Sequence, residues 1–229
     1  MLSKQQLGFL RSLHQKKFRQ MYGKFLVEGD KLVRELLKSD FQVDAVYSVA
    51  GWQSAIDGNK PGHILISEEE LRKISSHENP NQVVALVEIP DSSSNPQFSS
   101  LPSAVYLVCD GLNDPGNAGS IIRIADWFGI EKVFFSEDSV DIYNPKAVSA
   151  AKGSLFRVQC MYADLKKVLN ENSHLKVFGT FMNGENIYKT SLVNNAFILI
   201  GNEANGISDE LLPFINQKIS IPSFGDPAG

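Results

Sequence analysis

An apolar run, Ala104–Cys109, breaks at Asp114-Pro115-Gly116-Asn117 and resumes with apolar residues at Ala118, Ile121, Ile122, Ala125 and Phe128. The run reads as a buried strand and the later spacing as a helix. No other feature restricts the fold as much. A strand without polar alternation has both faces covered, and a helix leaving its end is the start of a crossover to a parallel neighbour. The alternation continues to the C-terminus. It predicts strands at Val105–Cys109, Lys132–Phe135, Lys176–Gly179, Phe197–Ile200 and Ile219–Ile221. Between them it predicts helices at Ala118–Phe128, Pro145–Ala151, Asp164–Asn170 and Asp209–Phe214. The expected fold class is α/β, a mostly parallel sheet with helices on both faces. Ligands of such sheets bind outside the carboxyl ends of the strands. Asn117 stands where a helix N-cap belongs, and Pro115 suits the second position of a tight turn.

Upstream lies a second, smaller pattern. A basic helix is expected near Lys4–Gln15, then strand Phe25–Glu28, helix Asp30–Lys38, strands Ala45–Val49 and His63–Ile66, helix Glu68–Ile74 and strand Val83–Glu88. Ser67 followed by Glu70 is a capping-box pattern. The stretch Glu88–Pro102, rich in Ser, Pro and Asn, reads as a linker. The resulting division is an α/β sandwich domain over residues 1–90, a linker over 91–102 and a larger domain over 103–229. With 43% of 229 residues apolar, each part has material for a core.

No run of 18 apolar residues is present, so no membrane span is expected. The N-terminus lacks a secretory pattern, which points to the cytoplasm. Cys109 and Cys160 sit in or beside apolar segments and read as free thiols in a reducing compartment rather than a disulfide. No Cys/His cluster has metal-ligand spacing, and no metal is expected. The net charge of −4 argues by itself against a nucleic-acid binder. Its distribution does not. Residues 1–38 carry nine Lys or Arg against three Asp or Glu, a local excess of +6 over a remainder of −10. Such a basic arm either contacts phosphates or is a solvated helix face, and charge alone does not choose between them.

Three strand ends carry unusual residues: Asn113–Arg123, the GNEANGIS stretch Gly201–Ser208, and the IPSFGDPAG stretch Ile221–Gly229. Gly and Asn tolerate left-handed backbone and let main-chain groups approach a ligand closely. The usual nucleotide fingerprints are missing. The glycines at 111, 116 and 119 do not form G-x-G-x-x-G, and there is no G-K-[ST]. A nicotinamide-dependent oxidoreductase or an NTPase is therefore disfavoured. His14, His63, His77 and His174 lie away from the three turns in sequence, and no G-x-S-x-G elbow supports a hydrolase.

The three turns together resemble the motifs of the SpoU (TrmH-like) family of SPOUT RNA methyltransferases. Asn117, Gly119 and Arg123 match its first motif, Gly201, Glu203 and Gly206 its second, and Ile221-Pro222 the start of its third. FLVEGDKLVRELL and ENPNQVVALVEIP resemble the RNA-substrate-binding domain often fused ahead of the catalytic one. The resemblance implies a C-terminal trefoil knot, and the family's third motif continues into Ser-Leu-Asn and a helix. The sequence reaches Gly229 before that point, so residues 1–229 are expected to leave the knot incomplete. Many relatives also carry an Arg in the loop after the second strand. The matching stretch, NPKAVSAAKGSLFRV, has Ser149 there, with Lys146, Lys152 and Arg157 nearby.

The activity implied is methyl transfer from S-adenosylmethionine to a ribose 2′-hydroxyl of ribosomal or transfer RNA. Arg123 is the main catalytic candidate. A guanidinium holds its proton up to a pKa above about 12. The role favoured for Arg123 is therefore to clamp a phosphate and stabilise the developing alkoxide, with the proton passing to RNA phosphate or water. Asn117 would cap its helix and orient the RNA backbone or Arg123. Glu203 would hold Asn117 or Arg123, or fix its turn through backbone amides, with a general-base role a lesser alternative. Gly201, Asn202, Glu203, Gly206, Ile221 and Pro222 are expected around the adenosine, with Thr180 a weaker candidate. Arg11, Lys16, Lys17, Arg19 and Lys152 are candidates for RNA phosphate contacts, which position a nucleic acid without reading it. The family implies a homodimer, for which Trp127 and Phe128 are either interface or core. A non-catalytic RNA-binding protein with the same fold is the alternative.

Overall fold

The computed structural model describes residues 1–52, 62–90 and 100–225. The chain separates into two compact units. One comprises Met1–Asp91, Pro115–Arg123 and Asp141–Arg157; the other comprises Ser92–Asp114, Ile124–Val140 and Val158–Gly229.

In the first unit the chain runs α1 (Lys4–Ser12), α2 (Lys16–Tyr22), β1 (Lys24–Glu28), α3 (Asp30–Leu36), β2 (Val43–Ser48), β3 (Gly62–Leu65), α4 (Glu68–Ile74) and β4 (Val83–Glu88). The strands form one sheet in the order β1-β4-β2-β3. β4 is antiparallel to β1 and β2, and β2 is parallel to β3. Leu10, Leu13, Leu26, Leu71, Ile74 and Leu86 meet in its core. The capping box at Ser67 and Glu70 forms as expected, and Ser3 with Gln6 makes a second one on α1. The helix expected over Lys4–Gln15 ends at Ser12, and a second helix that was not anticipated, α2, follows it. Gln15 donates its amide to the Ser12 carbonyl in a turn after α1, and α2 ends on Gly23 at φ 61°. Leu13, between the two helices, is buried in the same core.

The second unit contains β5 (Val105–Cys109), β6 (Lys132–Phe135), β7 (Gln159–Tyr162), α7 (Leu165–Glu171), β8 (Lys176–Asn186), β9 (Ala196–Ile200) and β10 (Gln217–Ser220). α5 (Pro115–Trp127) and α6 (Pro145–Ala151) come between β5 and β7 in the chain. The six strands lie in the order β10-β8-β9-β5-β6-β7, every pair parallel. Both faces are buried, Val108, Phe134 and Phe197 on one and Leu107, Val133 and Phe135 on the other. This is the burial that the apolar runs required. Leu165, Val168 and Leu169 of α7 pack on the first of these faces.

Several local expectations are corrected here. β7 was not anticipated, because Gln159–Tyr162 has no apolar run to mark it. β8 extends seven residues past the expected Gly179. The helix expected at Asp209–Phe214 is only a 3-10 turn at Leu212–Phe214, where Pro213 cannot donate a helical hydrogen bond. β10 ends at Ser220, so Ile221 lies outside it. α5 starts at Pro115, with proline's fixed φ in the first helical position, so Asn117 sits inside the first turn rather than at the N-cap. Phe128, placed by period on the core face, is 72% exposed just beyond α5. The buried positions of that helix are Ala118, Ile122 and Ala125. Residues 91–99 of the expected linker and residues 226–229 of the third motif lie outside the described residues. Leu101, at the linker's end, is buried and donates its amide to Asn172 Oδ1. No helix among the described residues is long and apolar enough to cross a membrane.

Candidate active site

The sheet order locates a site before any side chain is considered. From β5 the chain moves outward through β6 to β7, then places β8, β9 and β10 on the opposite side of β5. The direction reverses between β5 and β9. In sheets of this kind the loops that leave the carboxyl ends at such a reversal border the ligand site. Cys109 is the partner of Ile200 in the register, so the loops starting at Asp110 and Gly201 leave side by side.

Those two loops are tied together. Asp110 Oδ2 accepts the Ser208 amide at 2.7 Å, and Asn202 Nδ2 donates to the Gly111 carbonyl at 2.5 Å. Glu203 Oε2 accepts the Asn113 amide at 3.4 Å. On the other side of the β5 loop, Ser136 Oγ accepts the Gly111 amide, and Ser139 Oγ accepts that of Leu112. The second loop also closes on itself. Asn202 and Gly206 exchange two backbone bonds of 2.9 Å, while Asn202 Oδ1 accepts the amides of Ala204 and Asn205. Both ends of the Asn202 side chain are thus engaged in shaping the turn. Gly206 takes φ 72°, and a Cβ on Gly201 would lie 2.3 Å from the Gly206 carbonyl carbon. Glycine at 201 is therefore demanded by the turn itself. Among the residues sequence reading overlooked, Asp110 had a usable signal: a carboxylate directly after a buried strand. Ser136, Ser139 and Ser208 had none, because their role exists only across strands.

Further along the same sheet, Thr180 Oγ1 donates to the Leu199 carbonyl, which ties β8 to the end of β9. β10 pairs with Phe178 and Gly179, then jumps to Glu185 and Asn186. At the jump Gly184 lies against the Ile219 backbone, where a Cβ would come within 2.4 Å of its carbonyl carbon. Ile221, just past β10, is 76% exposed and Pro222 is half-buried. The Gly201–Gly206 turn and Ile221-Pro222 thus follow the carboxyl ends of β9 and β10, while Thr180 lies within β8, the strand between them.

The first motif is described in the other unit. Asn117 and Arg123 are exposed, and Ser120 Oγ donates to the Gly116 carbonyl within the helix. Gly119 packs against α6, where a Cβ would lie 2.4 Å from the Ala147 oxygen and 2.7 Å from Ala150 Cβ. Its absence of side chain serves helix packing.

The basic candidates divide. Arg11, Lys16, Lys17 and Lys152 are exposed. Arg19 is not, and its expected phosphate contact is corrected. It is 1% exposed, pairs through Nη2 with Asp141 at 2.6 Å, and donates Nη1 to the Leu13 carbonyl. A guanidinium so engaged belongs to the interior. Arg157 pairs with Glu35 at 3.0 Å. The cysteines are free; Cys109 is buried and Cys160 half-buried, and desolvation pushes both thiols far above their usual range.

Residues 104–228 match the SpoU rRNA Methylase family, and residues 4–85 match the MRM3-like substrate binding domain. Over 221 residues the chain is 28% identical to the 23S rRNA (guanosine(2553)-2'-O)-methyltransferase RlmP of Bacillus subtilis, covering 94% of this chain and 86% of that protein. The structure of a TrmH-family protein from Porphyromonas gingivalis superposes with a TM-score of 0.87 at 33% identity, over 98% of this chain and 90% of that one. The SpoU methyltransferase AviRb from Streptomyces viridochromogenes, crystallised with AdoMet, shares the fold: its TM-score is 0.84 at 22% identity, over 100% of this chain and 92% of that one. With the family match spanning more than half its length, the chain belongs to the SpoU rRNA methylase family.

Proposed function

We propose that this protein transfers a methyl group from S-adenosylmethionine to a ribose 2′-hydroxyl of ribosomal RNA, with transfer RNA the lesser alternative. The observation that carries the reading is the laced pair of loops at the β5/β9 reversal, in a chain of a methylase family. The residues present fit the methyl donor. A turn held by its own hydrogen bonds offers a preformed wall for an adenosine, and Ile221, exposed just past β10, offers apolar surface that a bound ring would cover. Gly201, Asn202, Glu203, Gly206, Ile221, Pro222 and Thr180 are the residues we assign to that wall. S-adenosylmethionine, when bound, supplies an electrophilic methyl on a sulfonium leaving group.

The chain's own task is then to hold the RNA and to stabilise charge as the hydroxyl loses its proton. Holding the hydroxyl in line with the methyl is worth roughly 7–11 kcal/mol at the limit. Arg123, exposed on α5, is suited to clamp an RNA phosphate and to place positive charge near the developing alkoxide. Asn117, one turn and a half earlier, orients the backbone that Arg123 grips. Glu203 supports the β5 loop through the Asn113 amide, which favours a positioning role over a general base.

Residues 1–90 are read as the RNA-substrate-binding domain, 91–102 as a linker and 103–229 as the catalytic domain. Arg11, Lys16, Lys17 and Lys152 are read as phosphate contacts. We further place the protein in the cytoplasm, as a homodimer joined through the apolar patch of Ile124, Trp127 and Phe128, which are 50%, 85% and 72% exposed. The close crossing of Gly184 and Ile219 supports a knotted C-terminal strand order.

Nucleoside mass spectrometry tests the activity. Unmodified ribosomal and transfer RNA are incubated with S-adenosylmethionine and either the wild type or Arg123→Ala. A new 2′-O-methylnucleoside made only by the wild type is the expected result. No new methyl group on either RNA, from a folded protein, would leave the non-catalytic RNA-binding alternative.

A further inference from the structure

The first unit contains a cleft of about 600 Å³ that none of the three motifs accounts for. Its lining includes His14, His77, Asn144, Lys146, Ser149 and Lys152, and among the described residues no carboxylate lines it. We infer that this cleft binds the phosphodiester backbone of the RNA substrate, next to the nucleotide presented to the first motif. The inference rests on the RNA methyltransferase reading and deepens it.

The charge of the wall decides the class of ligand. The molecule carries a net −4, yet the cleft gathers two lysines, two imidazoles and neutral amide or hydroxyl groups. A wall of opposite sign to the whole molecule attracts an anion locally. One carboxylate, Glu28, lines a small adjoining hollow and is engaged there. It accepts the hydroxyls of Ser75 and Ser76 and the Ser76 amide. Those bonds hold the Ser75–His77 turn, and the His77 amide in turn donates to Ser75 Oγ. Glu28 thereby fixes the backbone that carries His77.

Position decides the source of the phosphate. Gly116, one residue before Asn117 in the first turn of α5, also lines the cleft, so the cleft is continuous with the first motif. A polymer running past Asn117 and Arg123 has its next phosphates there; a free inorganic ion has no reason to lie beside them. His14 donates Nε2 to the Ile74 carbonyl at 2.9 Å, which holds its ring at the cleft wall.

The test uses the full chain and fluorescence anisotropy with a short single-stranded RNA of mixed sequence, titrated between about 50 and 200 mM salt. Lys146→Gln with Lys152→Gln is compared with a matched charge change outside the cleft, Lys167→Gln with Lys189→Gln. Lys152→Glu alone is a second variant, and its side chain is exposed. The cleft variants are expected to bind about tenfold more weakly and to lower the slope of log affinity against log salt by about 1.4 for two lost contacts. The matched control should keep the wild-type slope. His77→Ala should weaken RNA binding without changing S-adenosylmethionine binding by calorimetry. If the wild type binds and methylates RNA, and the cleft variants do so with unchanged affinity and slope, the cleft inference is wrong and the enzyme reading stands. If the wild type neither binds nor methylates RNA, both fail. If inorganic phosphate competes as effectively as RNA phosphate at equal concentration, the cleft is a small-anion site and the RNA assignment is overturned.

Discussion

Two arginines that look alike in the sequence have opposite fates. Arg123 stands in solvent on α5, whereas Arg19 is enclosed with Asp141 and the Leu13 carbonyl. Removing one member of a buried pair strands the other. Asp141→Ala is therefore expected to lower stability by about 3–5 kcal/mol. Asp141 Oδ1 also accepts the Tyr143 amide, so the loss spreads into that turn. Arg19→Leu strands Asp141 instead, but that carboxylate is the less buried of the two and keeps the Tyr143 amide, so this variant should cost less than Asp141→Ala. Urea unfolding of both variants checks the order; equal losses would mean that the stranded guanidinium is no worse than the stranded carboxylate. Nothing local distinguishes Arg19 from its basic neighbours. Its partner lies 122 residues away, and only the fold brings Asp141 to it.

At the scale of elements, the strongest constraint is steric. α5 and α6 approach so closely at Gly119 that a methyl group would lie 2.4 Å from a backbone oxygen. Gly119→Ala is expected to destabilise by about 1–3 kcal/mol, because a backbone atom cannot move aside as a flexible side chain does. Thermal melting measures this. Unchanged stability would mean that the helices separate freely. Helix and strand positions inside runs of clear period were legible: Pro145–Ala151, Glu68–Ile74 and Val105–Cys109 needed no correction. The ends were less so. Asn117 has N-cap chemistry, but Pro115 starts the helix two residues sooner. Phe128 continues the apolar period but is 72% exposed, so of the two places that the sequence left open, interface or core, the fold excludes the core.

For the whole molecule, acid is the clearest probe. Asp30 is held below the usual carboxylate range by the Trp52 indole N–H and then by Arg34, whose guanidinium also lies over the Trp52 ring. Glu70 is lowered by the Ser67 amide and then the Leu2 amide, and Glu35 by Lys38 and then Arg157. A carboxylate whose folded pKa lies below its unfolded value, about 4, stabilises the fold above that value. The contribution fades as pH falls through the folded pKa. The urea midpoint should therefore hold near neutrality and drop progressively between about pH 5 and pH 2. Asp30→Asn should lose stability at pH 7 and converge on the wild type at low pH. A constant gap between the two across that range would show that the charge of Asp30 is not what stabilises.

The sequence by itself determined the alternation of buried strands and helices, the capping boxes, and the three glycine- and asparagine-rich turns that place this chain in its family. These are local properties, set by side-chain period, backbone freedom and the residues that satisfy helix ends. Only the tertiary structure decided which loops meet at the β5/β9 reversal, that Asn202 and Asp110 hold them together, and that Arg19 is interior. It alone grouped residues 115–123 and 141–157 with residues 1–91 and lined one cleft with His14, His77 and Lys152. Such contacts join residues far apart in the chain. Their energy comes from burial and from hydrogen bonds between groups that no sequence window contains together.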